Sequence, residues 1–473
     1  MGQLGYVNKN LAKMDKPSIE ILNDDCLLLI FEYLPLKDKL KIEAVCKRWQ
    51  RLSSSIWWNY KILVSNHVVG DYPSGMSQSI DYNTFKQISK NCARHLTTVD
   101  LSVIIPHDRD RLLSISDLRS IFEQCPNIQA LYIIQCFEDI QLKGLRVIDY
   151  LKPFWKQLTK FGYFYSYNVI PNEDLFEILT EMTKLKHFYI DTAFDEKFLK
   201  YLSKDIEELI MENGGRICFK TVCEALKNTK LHTLCSSGLV MEDKINLPEN
   251  CHIRNLALTM THMSDNPNWA ASISQFVDIE QLNVEMNDNI DDAFLNAVAD
   301  NCKKITFLNF SGCSRVTDSG TTNLKTLPKL RHLSIGGLVN VTGKNLGRLP
   351  ELEVLDCSKS ENITDDSLYE IVWNSSRLRF LILNNCKLIT NNLIKIAIKA
   401  TLRRDNGLIL NMDILSTKIN LKKVGRKSPL LKVYRHISYL LECGSNYNPY
   451  FPTIYDFYVD RHIDPNYSRI IVN

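Results

Sequence analysis

The stretch CKKITFLNFSGCSRVTDS, residues 302–319, decides how this chain folds. Its residues spell I-x-x-L-x-F-x-x-C, and V-T-D follows two positions later. Leu308 and Phe310 alternate as a short half-buried strand requires, so Phe307 and Asn309 project from the opposite side of that strand. The threonine or the aspartate can cap a helix that leads to the next strand. The stretch therefore predicts one strand, one turn and one helix start.

The same spacing recurs along most of the chain, with 21 to 32 residues between neighbouring anchors. The twelve anchor positions are Val99, Leu131, Phe161, Phe188, Leu209, Leu234, Leu256, Leu282, Leu308, Leu333, Leu355 and Leu381. This spacing is that of a leucine-rich repeat. A single repeat cannot bury its own apolar face, so the pattern predicts an α/β horseshoe solenoid of the ribonuclease-inhibitor type. Residues 407–415 indicate a degenerate thirteenth repeat. An ordinary α/β domain is disfavoured by twelve matches in register.

Two short amphipathic helices are predicted ahead of the repeats, within residues 17–58. The first is capped by Asn23 or Asp24 and ended by Pro35, and Asp38 can cap the second. A bundle of about 40 residues has too small a core to be stable alone. We therefore expect apolar surface to remain there for a protein partner.

These helices resemble an F-box. The matching residues are Leu22, Asp25, Ile30, Phe31, Tyr33, Leu34, Asp38, Val45, Cys46, Lys47 and Trp49. Asn23 stands where the family usually has proline, and Lys39 stands where an apolar residue is common. An F-box followed by these repeats is similar to the F-box proteins with leucine-rich repeats.

The resemblance implies a non-catalytic substrate receptor of an SCF-type cullin-RING ubiquitin ligase. Its partners would be a Skp-type adaptor, the cullin-RING core and an unknown protein substrate. The expected adaptor-binding residues are Leu22, Ile30, Leu34, Pro35, Leu36, Val45, Cys46 and Trp49. The alternative is a leucine-rich-repeat scaffold without a role in ubiquitination.

The chain divides into five predicted regions. Residues 1–16 are a disordered N-terminus, 17–58 the F-box, and 59–95 a linker with a capping helix. Residues 96–443 carry about 12–13 repeats, and 444–473 form an aromatic-rich tail. The tail is too apolar to stay solvated, so we expect it to bury itself on the repeats or on a partner.

Composition favours an intracellular protein, cytoplasmic or nuclear. No signal peptide or membrane-length apolar run is present, and the fourteen cysteines include no C-x-x-C pair. The net charge of +3 predicts no affinity for nucleic acid or membrane. Residues 418–436 are locally basic, but nucleic-acid binding would need interleaved aromatic residues and a wider basic footprint. A solvated helix pair is the favoured interpretation there.

No catalytic, cofactor-binding or metal-binding motif is found, so we expect no enzyme activity and no cofactor. Substrate binding is instead predicted on the concave side, where residues flanking the anchors form a column. Those residues are Tyr132, Phe164, His187, Tyr189, Glu208, Glu285, Phe307, Asn309 and His332. Exposed aromatic rings would anchor the partner, and the carboxylates would favour a basic one. The aromatic tail could also cover part of this column.

Overall fold

The computed structural model describes the helical N-terminal region and most of the repeats. The described residues are 19–34, 36–59, 62–64, 87, 90–101, 123–134, 152–164, 172–191, 196–212, 217–237, 239–241, 252–259, 262–263, 275–424 and 427–434. The predicted disordered N-terminus and the aromatic tail lie outside these residues, so both remain predictions.

Three helices form the N-terminal domain: α1 (Asp24–Glu32), α2 (Leu36–Ile42) and α3 (Lys47–Ile56). The Asn23 side chain accepts a hydrogen bond from the Cys26 amide at 2.8 Å, so the predicted cap is confirmed. The prediction of a single second helix is wrong. The chain turns after α2, and the Cys46 sulfur accepts from the Trp49 amide at 3.5 Å to start α3.

Side chains from all three helices make a small separate core. Its buried members are Leu27, Phe31, Ile42, Leu52 and Ile56. The unusual Lys39 is also buried, and its ammonium donates to the Glu32 carbonyl at the end of α1, at 2.8 Å. Burial lowers the pKa of Lys39. The lysine therefore closes the C-terminus of a helix where the family pattern would place an apolar contact.

In the described part of the chain, fifteen parallel strands form one continuous sheet. In chain order they are β1 (Ile62–Val64), β2 (Thr98–Leu101), β3 (Ala130–Ile134), β4 (Lys160–Phe164), β5 (His187–Asp191), β6 (Glu208–Glu212), β7 (Thr233–Ser237), β9 (Asn255–Thr259), β11 (Gln281–Asn283), β12 (Phe307–Asn309), β13 (His332–Ser334), β14 (Val354–Asp356), β15 (Phe380–Ile382), β16 (Leu410–Asp413) and β17 (Leu431–Tyr434). Two further short strands, β8 (Val240–Met241) and β10 (His262–Met263), pair with each other.

Every predicted anchor is paired with the anchor of the next repeat, from Val99 opposite Leu131 to Leu355 opposite Leu381. All twelve are buried. The degenerate thirteenth repeat is confirmed as β16, where Met412 lies opposite Leu381. The predicted solenoid is therefore confirmed in both fold and register.

The sheet extends beyond the prediction at both ends. Strand β1 pairs with β2 inside the segment expected to be a linker. The expected helix pair at 418–436 is wrong: Leu421–Lys423 form one short 3₁₀ turn and Leu431–Tyr434 pair with β16. A basic composition predicted exposure correctly but carried no information on strand pairing.

Helical segments cover one face of the sheet. They are α4 (Asn172–Glu181), α5 (Phe219–Leu226), α6 (Asp292–Asn301), α7 (Asp318–Thr321), α8 (Tyr369–Asn374) and α9 (Asn391–Leu402), with 3₁₀ turns at Ala93–His95, Glu196–Tyr201 and Thr322–Thr326. Two further 3₁₀ turns, Ile19–Ile21 and Trp57–Asn59, flank the helices of the N-terminal domain. One core cluster runs from Trp57 to Ile419 between these segments and the sheet. Its continuity is what a solenoid with neighbour-only contacts requires.

Neighbouring later repeats are joined by side chains in the repeat's Asn/Cys position. The Asn287 amide donates to the Leu258 carbonyl at 2.5 Å. The Cys313 thiol donates to the Val284 carbonyl at 3.2 Å, and the Cys386 thiol donates to the Cys357 carbonyl at 2.9 Å. Burial raises the pKa of both thiols to about 12, which keeps the proton that each donates.

A second set of hydrogen bonds explains the Val/Ile-Thr-Asp sequence. The Asp318 carboxylate accepts from the amide and the hydroxyl of Thr342 in the next repeat, at 2.9 and 2.7 Å. Asp292 accepts from Thr317 in the same way, and Asp365 from Thr390. Thr317 also caps α7 as expected, since its hydroxyl accepts from the Ser319 amide. Aspartate therefore joins repeats rather than capping its own helix.

Candidate interaction surfaces

The N-terminal domain exposes more apolar surface than its small core can cover. Its large exposed side chains are Ile19, Ile21, Leu29, Ile30, Tyr33, Val45 and Trp58. Tyr33 is 70% exposed and Val45 is 59% exposed. Exposed apolar groups in this number on three short helices are typical of a protein-binding surface.

The predicted adaptor-binding residues fall into two groups. Ile30, Val45 and Cys46 are exposed. Leu22, Leu34 and Trp49 pack against the domain's own core, and the Trp49 ring meets Phe31 edge-on at 4.8 Å between centroids. Pro35 and the side chain of Leu36 lie outside the described residues.

Sequence reasoning missed three exposed residues of this surface: Ile21, Leu29 and Tyr33. The helical template selects residues spaced along one face of α1, whereas Leu29 and Tyr33 fall outside that spacing and Ile21 precedes the helix. Their apolar character could have identified them, because side chains on the solvent-facing side of a helix are usually polar.

The N-terminal domain is fastened to the first turn of the solenoid. The Glu43 carboxylate accepts from the Trp57 indole at 2.6 Å and from the Asn91 amide at 2.9 Å. Trp57 belongs to the solenoid core, and Leu40 of α2 packs against that core. The exposed apolar surface therefore has a defined position relative to the repeats.

Alternate strand residues form the other face of the sheet, opposite the main core, which we call the outer sheet face. In the early repeats it is apolar: Ala130, Tyr132, Tyr189, Ile210 and Cys235 form a separate buried cluster. The expectation that Tyr132 and Tyr189 are exposed is therefore wrong, since each is 1% exposed.

A glycine explains how the two tyrosines meet. Gly162 lies between Tyr132 and Tyr189 in the strand register. The two rings are only 5.6 Å apart between centroids, although a whole strand separates their backbones. Because glycine has no side chain, both rings can lean over it. The alternation of residues predicted on which face of the sheet each ring lies, but it did not predict this contact across a strand.

Two other predicted residues of the early repeats are paired with each other. The His187 Nδ1 and the Glu208 carboxylate are 2.8 Å apart, and Glu208 is buried. Because the Glu208 carboxylate is buried and paired with His187, it contributes to the local structure rather than to ligand attraction. The side chain of Phe164 lies outside the described residues.

The middle of the outer sheet face holds the remaining predicted residues. Phe307 and His332 are partly exposed and meet edge to face, with centroids 6.1 Å apart. The Asn309 amide donates to the Glu285 carboxylate at 2.9 Å. Burial lowers the pKa of His332 and raises that of Glu285. These four predicted residues therefore form one neighbourhood on adjacent strands.

The later strands carry a row of buried amides and carboxylates on this face. The side-chain oxygens of Asn283, Asn309 and Asp356 each accept from the backbone amide two residues on, at 2.8 to 3.1 Å. Burial, and the nearby Asp413 carboxylate, raise the pKa of Asp356 to about 6. The row stabilises the turns after the strands, which the sequence did not predict.

No cluster of three or more histidine, cysteine, aspartate or glutamate side chains suited to a metal ion occurs among the described residues. No helix in the described part of the chain is long and apolar enough to cross a membrane.

Comparisons with known proteins agree with the two-part architecture. The F-box-like family model matches residues 24–61. Rad7, from the crystal structure of the yeast Rad7 and Elc1 complex, superposes with a TM-score of 0.51 at 15% identity. That match covers 87% of this chain and 93% of Rad7's. An internalin from Listeria monocytogenes gives a TM-score of 0.40 at 16% identity, covering 68% of this chain and 93% of the internalin.

At 15% sequence identity, the similarity to Rad7 shows the fold alone. The fold, the anchor register and the family match nevertheless point the same way. The chain therefore combines an F-box-like domain with a leucine-rich-repeat solenoid.

Proposed function

We propose that this protein is the substrate-recognition subunit of an SCF-type ubiquitin ligase. In this proposal the F-box-like domain docks a Skp-type adaptor attached to a cullin-RING core, and the solenoid holds the protein to be ubiquitinated. The protein itself supplies position and not chemistry. The observation that carries the proposal is the apolar surface around Tyr33 and Val45, which no described part of the chain covers.

Two further features support adaptor binding. Three helices with a core of five buried side chains are marginal alone, so a partner that covers their apolar surface would stabilise them. Rad7, which has a similar fold, was crystallised with Elc1. The proposed contacts include Ile30, Val45 and Cys46, with Leu29 and Tyr33 beside them, whereas Leu34 and Trp49 support the domain from within.

The test compares two exposed valines. Val45→Asp should weaken adaptor binding about 30-fold, the effect of losing an interface hot spot of about 2 kcal/mol. Val339 is 51% exposed on the solenoid, close to the 59% of Val45. Val339→Asp should therefore leave adaptor binding unchanged. Affinity would be measured by calorimetry with purified Skp-type adaptor. Equal binding by both variants would favour the scaffold without a ubiquitination role.

The proposed substrate surface is the middle of the outer sheet face. There Glu285, Phe307 and His332 are partly exposed, whereas Tyr132 and Tyr189 in the early repeats are buried. Phe307→Ala combined with His332→Ala should reduce substrate ubiquitination by the reconstituted ligase but keep adaptor affinity. Unchanged ubiquitination would move the substrate site away from these strands.

A further inference from the structure

The last turns of the solenoid carry an uncompensated positive charge. Residues 391–434 contain seven lysines and three arginines against two aspartates, whereas the whole chain carries only +3. One of those aspartates, Asp413, is buried on the outer sheet face. The excess charge is therefore local and not a property of the chain as a whole.

Several exposed basic side chains of the earlier repeats are paired with carboxylates, whereas the described ones of the last turns are not. Lys186 pairs with Glu207 at 2.8 Å, Lys304 with Asp278 at 2.6 Å and Arg377 with Glu351 at 2.5 Å, each across neighbouring repeats. Among the described residues, no ion pair involves the exposed cations from α9 onward. Six of these make what we call the basic end face: Lys395, Lys399, Arg403, Lys422, Lys423 and Lys427.

Hydrogen bonds join the two segments that carry these six cations. Asn391, at the start of α9, exchanges two hydrogen bonds with Asn420, at 2.6 and 3.0 Å. Thr401, at the other end of α9, donates to Ser428 at 2.9 Å. Residues 420–424 and 427–428 therefore run alongside α9 in the same direction, so their exposed lysines and those of the helix belong to the same end of the solenoid.

The spacing of the cations selects the kind of anion. Lys395, Lys399 and Arg403 recur every four residues, which puts them on one side of α9 at steps of about 6 Å. In an extended peptide, every second side chain lies on the same side at steps of about 7 Å. An extended acidic segment can therefore present carboxylates at close to the same interval.

A nucleic acid fits this face less well. Binding of a single strand uses free aromatic faces on which bases stack. The ring beside these cations, Trp373, already stacks on Tyr369 with 5.7 Å between centroids. The Arg403 guanidinium also lies 4.4 Å from the centre of the Trp373 ring. We infer that the basic end face is a docking surface for an acidic, extended segment of a protein partner.

Docking at this face is independent of adaptor binding, so its test uses the intact chain and a defined probe. The probe is a fluorescein-labelled 16-residue peptide of alternating glutamate and serine, followed by anisotropy. The Lys395→Glu, Lys399→Glu and Lys422→Glu triple variant should weaken binding on the order of tenfold at 0.1 M salt. Affinity for the intact chain should fall as salt rises.

The matched control changes net charge equally at exposed lysines elsewhere: Lys184→Glu, Lys200→Glu and Lys329→Glu. It should bind the probe within about twofold of the intact chain if the face, and not overall charge, binds. An equal loss in both triple variants would overturn the inference. So would equal binding of a glutamine–serine peptide, or tighter binding of a 16-nucleotide oligothymidylate.

Discussion

The early and late repeats share one row of buried anchors but end their strands differently. Strands β3 to β7 and β9 are each five residues long, whereas β11 to β15 are each three. In the late repeats, Asn283, Asn309 and Asp356 end their strands and bind the backbone amide two residues on. The early strands have Tyr132, Tyr189, Ile210 and other groups without a carboxylate or amide there, and pairing continues. These polar side chains thus stabilise the turns after β11, β12 and β14. Strands β13 and β15 are equally short but end at Ser334 and Ile382, so the side chain at the strand end does not alone decide strand length.

A left-handed residue completes the late turn. It is Met286, Gly312, Gly337, Lys359, Asn385 and Ser416 in successive repeats, with φ between 57° and 71°. The short turn places the next residue inward, where Asn287, Cys313 and Cys386 join neighbouring repeats. The comparison shows that a shared core fixes register, while polar groups at the strand ends fix the turns.

The largest loss of stability is expected at the buried anchors, which the early and late repeats share. Leu209→Ala in the early part and Leu308→Ala in the late part each remove a fully buried anchor. Each should lower the free energy of unfolding by about 2–5 kcal/mol, because the neighbouring strands cannot close the cavity completely. Urea denaturation followed by circular dichroism measures both. A loss of stability in only one of the two variants would show that the early and late anchors do not stabilise the protein equally.

The sequence predicted the anchors because they obey a strict spacing that nothing else in the chain imitates. Leu63 in β1 and Val433 in β17 were missed because their surroundings resemble a linker and a solvated basic segment. For the candidate surfaces, the alternation of residues identified the correct sheet face. Exposure could not be predicted, because Tyr132 and Tyr189 meet only across Gly162. Contacts between repeats depend on side-chain shape, which a spacing rule does not contain.

The second expected effect is a pH-dependent change in stability caused by a residue of the late repeats. Burial raises the pKa of Asp356 to about 6, above its ordinary value of 3.8. A carboxyl whose folded pKa is raised stabilises the protein below its unfolded pKa, and this stabilisation is lost as pH rises through the folded pKa. The difference corresponds to about 3 kcal/mol. The contribution of Asp356 to stability should therefore fall between about pH 4 and pH 6.

Asp356→Asn isolates this effect, because Asn283 and Asn309 already form the same turn with an amide. The variant should lack the fall in stability, as measured by urea denaturation at several pH values. Asp278→Asn is the control with the opposite sign, since its hydrogen bond to Lys304 lowers the pKa of the exposed Asp278. Parallel pH profiles for wild type and Asp356→Asn would mean that the buried carboxyl does not titrate as expected.

The smallest effect tests the left-handed turn itself. Gly337 has φ 69°, and a Cβ added there would find its nearest neighbour, the Gly312 nitrogen, at 3.8 Å. Gly337→Ala therefore meets no clash and reports the backbone cost alone. That cost is about 1–2 kcal/mol for a residue with a side chain. Alanine also restricts the unfolded chain more than glycine does, and this offsets about 0.4–1 kcal/mol of the backbone cost.

A net loss of about 1 kcal/mol is therefore expected for Gly337→Ala. Ser416→Gly, at φ 57°, should give a gain of similar or smaller size. Urea denaturation of both variants gives the two signs. If Gly337→Ala is as stable as the wild type, the late repeat does not require the left-handed turn. The late turns would then depend on the Asn and Asp side chains that end β11, β12 and β14, which separates the two contributions in the comparison.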